Sequence, residues 1–327
     1  MESLRKVFHK ALKYIFKNGE LLALILILIV ASFAYERFMT YGNITNVLRQ
    51  VSMSALIGVG MTLVILTGGI DLSVGSITAF CGILAAYLSG NIYLAVAVPL
   101  LVGFLLGLLN GYIVSRLSIV PFIATLATQM AIRGAGYLMT GLNSVPVGDS
   151  AAAFLFLGRA SIAGIPFPTI VMVLGFATMS VVTRRTGFGR SIYAIGGNED
   201  AARMIGLKVD RNKALSYAIN GLFCAIAGIL LTSRLGAGQP SAAKGWEMDV
   251  VAYVAIGGTL LTGGVGGVEK TLIGVLIIGF IGNIINQQGN LSSYWQNILT
   301  GMIIMSAIAV QSILGKRQAG QKTAARR

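Results

Sequence analysis

The stretch RRTGFGRSIYAIGGNEDAARMIGLKVDRNK, residues 184–213, lies between two long apolar runs and carries seven cations: Arg184, Arg185, Arg190, Arg203, Lys208, Arg211 and Lys213. Its surroundings decide how it is read. Of the 327 residues, 55% are hydrophobic and only 11% are charged, with a mean hydropathy of +0.81. Soluble globular chains are about 25% charged, so this chain lacks the polar surface to cover a water-exposed globule of its size. A soluble enzyme, a nucleic-acid-binding domain and a disordered tail are excluded. What remains is an integral membrane protein with one conspicuous polar interruption.

A net charge of +14 and a pI near 10.0 ordinarily raise nucleic acid as a partner, so the placement of the charge matters. Five cations lie in the N-terminal stretch (Arg5, Lys6, Lys10, Lys13, Lys17) and five in the C-terminal one (Lys316, Arg317, Lys322, Arg326, Arg327). With the central seven, 17 of 25 fall in three short segments beside apolar runs. Lys and Arg within roughly 15–20 residues of a span mark its cytoplasmic side and also meet anionic lipid of the bilayer. No aromatic-interleaved basic stripe accompanies them. The charge is a topology signal, and nucleic acid is not an expected partner.

A helix crosses the hydrocarbon core with about 20 apolar residues, range about 17–25. Ten segments are candidates: 20–39, 51–67, 74–90, 93–114, 119–140, 167–184, 213–235, 248–262, 270–287 and 294–314. Some are short or glycine-bearing, which leaves eight to ten spans, ten preferred. The first follows a basic stretch as a signal peptide does, but the membranous remainder favours a retained span. With the N-terminus inside, ten spans put residues 184–213 and both tails inside; Arg116 and Lys270 bring that side to 19 of 25 cations. Segments 141–166 and 236–247 become the main outside loops. The expected organisation is a basic cytoplasmic tail over 1–19, one transmembrane domain over 20–314 and a second basic cytoplasmic tail over 315–327. The fold class is all-α, a polytopic transmembrane helical bundle.

Gly103, Gly107 and Gly111 recur every four residues and predict close approach of a neighbouring helix. TLVILTGGIDLSVG at 62–75 and TLLTGGVGGVEKTLIG at 259–274 echo one another about 195 residues apart. That spacing fits two five-helix halves, an arrangement common in transporters, though the echo is short and glycine-rich. Cys81 and Cys224 sit in apolar runs without metal-ligand or disulfide spacing, so core packing is expected. His9, the single histidine, lies in the basic tail.

Asp71, within Thr67-Gly68-Gly69-Ile70-Asp71-Leu72-Ser73-Val74-Gly75, is the only acid of the first half near membrane depth. An ionisable group there is costly unless paired or at a helix end. It either caps a helix beginning at Leu72 or lines or gates a pathway. Gly264-Val-Gly-Gly-Val-Glu269-Lys270-Thr271 nearly reads as a phosphate loop. Glu269 stands where that loop has glycine, however, and would repel the phosphate. No ATPase site is expected in this chain. Residues 198–206 read as a short helix: Asn198 is a good N-cap, Glu199 and Asp200 suit the positive end, and Gly206 closes it. They form either a solvated loop or a helix that docks in a groove of a cytosolic partner.

TGGIDLSVGS, LLNGYIVSRLSIVPFIATLATQMAIRG, GRSIYAIGGNEDAARMIGL and SRLGAGQP…AYVAIGGTLLTGG occur in order over about residues 40–314. Together they resemble the permease subunit of ribose-type ABC importers, which take up pentoses, hexoses and related small sugars. The resemblance implies a type II importer fold and a permease dimer, with a second copy or a paralogue. It further implies cytosolic ABC ATPase subunits, which bind the ATP and Mg, so no cofactor is expected in this chain. A periplasmic or lipid-anchored sugar-binding protein and a bacterial inner-membrane location are implied too. By position residues 198–206 match the family's coupling helix, with Glu199 and Arg203 as polar ATPase contacts and Ala201 and Ala202 permitting close seating. Glu269-Lys270 departs from the neutral turn frequent in the family.

The resulting expectation is ATP-driven alternating access for a neutral solute. Uncharged hydrogen-bonding groups are the candidate pathway residues beside Asp71: Thr62, Asn110, Thr125, Thr128, Gln129, Asn283 and Asn286. Each also has a plain reading as an interhelical hydrogen bond. Glu247 and Asp249, on the outside, are candidates for docking a binding protein. The alternative is a secondary sugar transporter driven by H+ or Na+ without an ATPase, with Asp71 as its first-half ion ligand. A membrane-embedded enzyme has no support: the spans offer no histidine, metal cluster or activated nucleophile.

Overall fold

Apolar runs interrupted by glycine turns fold here into helices joined by tight bends. The computed structural model of the protein describes residues 19–148 and 151–288, with Trp295, Ile298, Gly301, Met302, Met305 and Ser306 beyond them. The expected tenth span at 294–314 and both basic tails lie outside the continuously described residues.

In chain order the helices are α1 (Gly19–Ala34), α2 (Tyr41–Leu66), α3 (Val74–Tyr87), α4 (Ile92–Arg116), α5 (Pro121–Thr140), α6 (Ala152–Arg159), α7 (Phe167–Arg185), α8 (Gly187–Gly197), α9 (Glu199–Met204), α10 (Val209–Leu235), α11 (Trp246–Ile256) and α12 (Val268–Gln288). Two-residue strands β1 (Val145–Pro146), β2 (Ser161–Ile162), β3 (Ile165–Pro166) and β4 (Ala237–Gly238) complete the order. The molecule is a polytopic helical bundle. Among the described residues, five helices are long and apolar enough to cross a membrane: α2, α4, α7, α10 and α12.

Several expected spans change shape. The run at 20–39 is helical only to Ala34, and α2 starts at Tyr41, ten residues before the expected 51. Thr40 caps it, its side chain accepting from Asn43 N. The run at 248–262 becomes the 11-residue α11, because Gly257 and then Gly258, at φ +78°, end the helix. Helix α5 has 20 residues but falls outside the five. Thr125, Thr128, Gln129 and Arg133 give it a polar side.

Helix α2 is the axis of the bundle, with every residue of 51–66 buried. Helix α10 packs against α4, α2 and α3. The glycine ladder of α4 faces α10: a Cβ on Gly103 would lie 2.6 Å from Gly221 O, one on Gly111 2.5 Å from Ala214 Cα, and one on Gly107 would overlap Tyr217 O. The backbones touch there, while Leu101, Leu105 and Tyr112 face outward. Cys81 and Cys224 are buried free thiols in the core.

The two long loops expected on one side do meet. β1 pairs antiparallel with β4, Val145 opposite Gly238, and β2 with β3 form a small hairpin. The opposite end gathers the polar helix ends. Lys270 at the start of α12 meets Glu20 at the start of α1 at 3.1 Å, and Arg116 at the end of α4 lies 3.9 Å from Asp210. Glu269 pairs there with Arg184.

Candidate functional site

Between α7 and α10 the chain forms α8, α9 and a connecting turn at one end of the bundle. Asn198, extended at φ −164°, accepts the Ala201 N–H at 2.9 Å through its side chain and so caps α9. Gly206, at φ +83°, closes the other end. Its N–H reaches Arg203 O at 3.0 Å and the Leu207 N–H reaches Ala202 O at 3.1 Å, the paired bonds of a Schellman ending. Ala202 is buried with Ile195 and Val209, while Ala201 is exposed.

Glu199 and Arg203 are engaged within the chain. Arg203 Nη2 lies 3.1 Å from Glu199 Oε1 and 2.6 Å from Asp210 Oδ1, and Lys213 Nζ lies 2.7 Å from Glu199 Oε2. Burial pushes the Glu199 carboxyl up, but the hydrogen bonds and charges of Lys213 and Arg203 outweigh it and hold the group below its ordinary value. The network fixes α9 against the start of α10. Beside the exposed Asp200, two apolar side chains stand out at the end of α9: Met204 is 86% exposed and Ile205, its C-cap, 74%. Sequence reasoning favoured the charged neighbours and passed over these two. Their signal was the apolar pair placed just before the closing glycine of a short polar helix.

Just before α9, the chain is wedged into the bundle. A Cβ on Gly196 would overlap Leu66 O and Gly264 N, whereas one on Gly197 would meet nothing within 4 Å. A Cβ on Gly263 would lie 2.7 Å from Gly68 N, and one on Gly264 2.7 Å from Gly197 N. The Gly264 N–H donates to Leu66 O at 3.1 Å and Tyr193 Oη to Gly266 O at 3.0 Å. The two echoing Thr-Gly-Gly turns, 67–69 and 262–264, thus lie against each other and against the end of α8. Thr62 and Thr271 reinforce the seam, their hydroxyl oxygens 2.7 Å apart.

Beyond the first turn lies a buried polar cluster. Asp71 is fully buried; Oδ1 accepts from Ser73 N at 2.9 Å and Ser73 Oγ at 2.6 Å, and Oδ2 accepts from Asn220 Nδ2 at 2.9 Å. Asn110 Nδ2 donates to Ser73 Oγ at 2.7 Å, and Thr125 Oγ1 accepts from Leu72 N at 3.1 Å. The expected helix start at Leu72 moves to Val74. Ser73 occupies the cap position without a side-chain cap bond, because Asp71 closes the turn onto Ser73 instead. Ser73 and Asn220 were absent from the sequence-derived set; a lone amide in the apolar run 213–235 was the available signal.

The other expected pathway residues scatter. Asn283 exchanges hydrogen bonds with Asn43 at 2.8 and 3.0 Å, and Asn286 is exposed. Thr128 turns back on its own helix, to Ala124 O and Thr125 O. It joins Asn110 on the wall of a cavity of about 290 Å³ otherwise lined by apolar side chains, Phe80, Leu106 and Ile132 among them. Gln129 Nε2 donates to Glu247 Oε1 at 3.2 Å, so Glu247 turns inward to α5; Asp249 is partly buried two residues on in α11. Among the described residues no three His, Cys, Asp or Glu side chains converge as metal ligands would.

The family described as "Branched-chain amino acid transport system / permease component" matches residues 43–308. The ribose import permease protein RbsC of Bacillus subtilis is 44% identical, over 89% of this chain and 91% of its own length. The protein of the same name from Haemophilus influenzae is 40% identical over 94% and 96%. The L-arabinose transport system permease protein AraH of Escherichia coli is 35% identical over 89% and 88%. No solved structure matches the chain. With a buried axis, helices able to cross a membrane and a sequence matched along nearly its full length, the chain belongs to this family of transport-system permease components.

Proposed function

We propose that this chain is the membrane-spanning permease subunit of an ATP-binding-cassette importer that moves a monosaccharide, or a similar small neutral polar solute, by alternating access. The names of its ribose and arabinose relatives support the substrate class. The observation that carries the coupling is α9: a rigidly capped helix, braced by ion pairs, that holds Met204 and Ile205 out in solvent. An exposed apolar pair on a fixed helix seats well in a groove of a cytosolic ATPase. ATP and Mg bind in that partner, which performs the hydrolysis. Residues 198–206 then act as the lever, with the Gly196–Gly264–Leu66 backbone contact as its fulcrum. Displacement of α9 reaches both Thr-Gly-Gly turns without passing through a flexible side chain.

The α9 end is the cytoplasmic one in this reading. The Lys270–Glu20 contact, which sets the start of α1 at that end, supports the orientation. A second permease copy or paralogue and a sugar-binding protein outside the membrane complete the importer. Asp71, Asn110 and Thr125, gathered around Ser73, form the inner gate. Residues 236–249 are the docking side for the binding protein.

Uptake in vesicles tests this reading. With a co-expressed ATPase and binding protein, radiolabelled D-ribose or L-arabinose uptake is expected to be vanadate-sensitive and to survive an ionophore at constant ATP. Uptake that collapses with the ionophore while ATP stays constant overturns it in favour of ion coupling. A Met204→Glu/Ile205→Glu double variant is expected to insert normally and to lose co-purification of the ATPase. Retained co-purification removes α9 from the docking role.

A further inference from the structure

Helix α5 carries Thr125, Gln129 and Arg133 at four-residue spacing, hence on one side of the helix over about 12 Å. The stripe begins at the Asp71 cluster, where Thr125 accepts from Leu72 N, and ends under the loop before α11. There Arg133 Nη1 donates to Pro240 O and Ala242 O, both at 2.8 Å. A cation and a carboxylate inside a membrane bundle ordinarily pair directly. Arg133 and Glu247 make no such pair among the described residues, although Glu247 lies within electrostatic reach of Arg133. One atom of each is instead spoken for and the other is idle. Glu247 Oε1 holds Gln129 and Arg133 Nη1 holds the two carbonyls, while Glu247 Oε2 and Arg133 Nη2 are buried without a partner.

A buried donor and a buried acceptor left without partners cost free energy unless something reaches them. Sugar hydroxyls supply both kinds of partner, an O–H to donate to Glu247 Oε2 and an oxygen to accept from Arg133 Nη2. The two charges cancel, so the place attracts neither an anion nor a cation but a neutral polyol. Gly75, at the start of α3, lets the Glu247 carboxylate and the loop before α11 come this close; a Cβ there would overlap Ala243 O and lie 2.8 Å from Glu247 Oε2. We propose that Gln129, Arg133 and Glu247 form a hydroxyl-binding station for the transported sugar, placed between the loop before α11 and the Asp71 cluster. This rests on the sugar-importer reading above. It moves Glu247 from docking to substrate contact and adds Arg133, which sequence reasoning passed over.

The test uses the full importer complex in proteoliposomes, with radiolabelled D-ribose or L-arabinose and the loaded binding protein. Glu247→Gln keeps the oxygen that receives Gln129 and replaces the open acceptor by a donor facing Arg133. Sugar delivered per ATP hydrolysed is expected to fall tenfold or more, while stimulation of the ATPase by the binding protein stays within twofold of the parent. Loss of that stimulation in proportion to uptake assigns Glu247 to docking or coupling and overturns the station. Unchanged uptake overturns it as well. Should Glu247→Gln fail to assemble, Gln129→Met, nearly isosteric and on a half-buried face, carries the test; it is expected to lower sugar per ATP at least threefold, and parental behaviour overturns the proposal. If the parent complex transports neither sugar, the importer reading itself has failed for these substrates, which is a different outcome from variants that match an active parent.

Discussion

The backbone N–H of Gly264 donates to the carbonyl oxygen of Leu66 at 3.1 Å, joining two turns almost two hundred residues apart in the chain. Leu66 ends the buried axis α2, and Gly264 belongs to the turn that leads into α12. Gly196 presses on both atoms from the side of α8. A movement of the short helix that follows is therefore passed on through main chain, which has no rotamers to absorb it.

That contact predicts a sharp difference between adjacent glycines. Gly196→Ala adds a methyl that overlaps Leu66 O and Gly264 N, whereas Gly197→Ala adds one into open space. ATP-driven uptake is expected to fall tenfold or more in the first and to stay within about twofold in the second, at equal membrane levels. Equal behaviour of the two variants, measured as initial uptake rates, removes the junction from the coupling route.

On the outer face of α9 the apolar pair is expected to outweigh the ion pairs. Arg203 is nearly half exposed and bonded to Glu199 and Asp210; exposed pairs of this kind are worth roughly 0–1 kcal/mol. Arg203→Ala is therefore expected to weaken ATPase co-purification only a few-fold. Met204→Glu, which places a charge where the partner buries a thioether, is expected to abolish it. The reverse order in quantitative pull-downs returns the docking role to Arg203. Arg203→Glu sets a third carboxylate beside Glu199 and Asp210 and is expected to weaken association more than the alanine.

The same network sets a pH limit. Glu199 titrates below its ordinary value because Lys213 and Arg203 outweigh its burial, and that ordinary value is about 4.3. A carboxyl whose folded value is depressed contributes stability that is complete above the unfolded value and is lost as pH falls through the folded one. A spin label on Asp200→Cys is expected to keep constant mobility from about pH 7 to about pH 5 and to loosen only below about 4.3. Cys81 and Cys224 are buried and will not compete for the label. Loosening already between pH 7 and pH 5 contradicts the ion-pair bracing of α9.

In the buried cluster, Asn220 donates to Asp71 Oδ2 and stands where Gly60 admits it, a Cβ on Gly60 lying 2.5 Å from Asn220 Oδ1. Asn220→Ala strips a bond from a buried carboxylate, a loss of about 1.5–3 kcal/mol for hydrogen bonds to charged groups. The thermal midpoint of the purified protein in detergent is expected to fall by several degrees. A midpoint within one degree of the parent shows that the pair is not a structural tie.

The sequence by itself determined the membrane class, because too few polar residues exist to cover a soluble surface. It also determined the capped helix at 198–206, since Asn198, the first-turn acids and Gly206 act within a single turn, and the close face of α4, whose glycines repeat with the helix. Those features are local, and local rules read them. The tertiary structure alone decided which polar groups meet. Asp71 has no partner in reach along the chain except Ser73, and Asn220 arrives from a helix 149 positions away. Glu199 and Arg203 have the chemistry of interface contacts, yet the fold brings Asp210 and Lys213 to them and leaves Met204 and Ile205 outside. The shapes of the expected spans were likewise beyond a hydropathy reading. Gly257 and Gly258 end α11 after three turns, and the polar side of α5 is met by Glu247 and by the carbonyls of Pro240 and Ala242. Burial and pairing are properties of two surfaces at once, and a sequence displays only one of them.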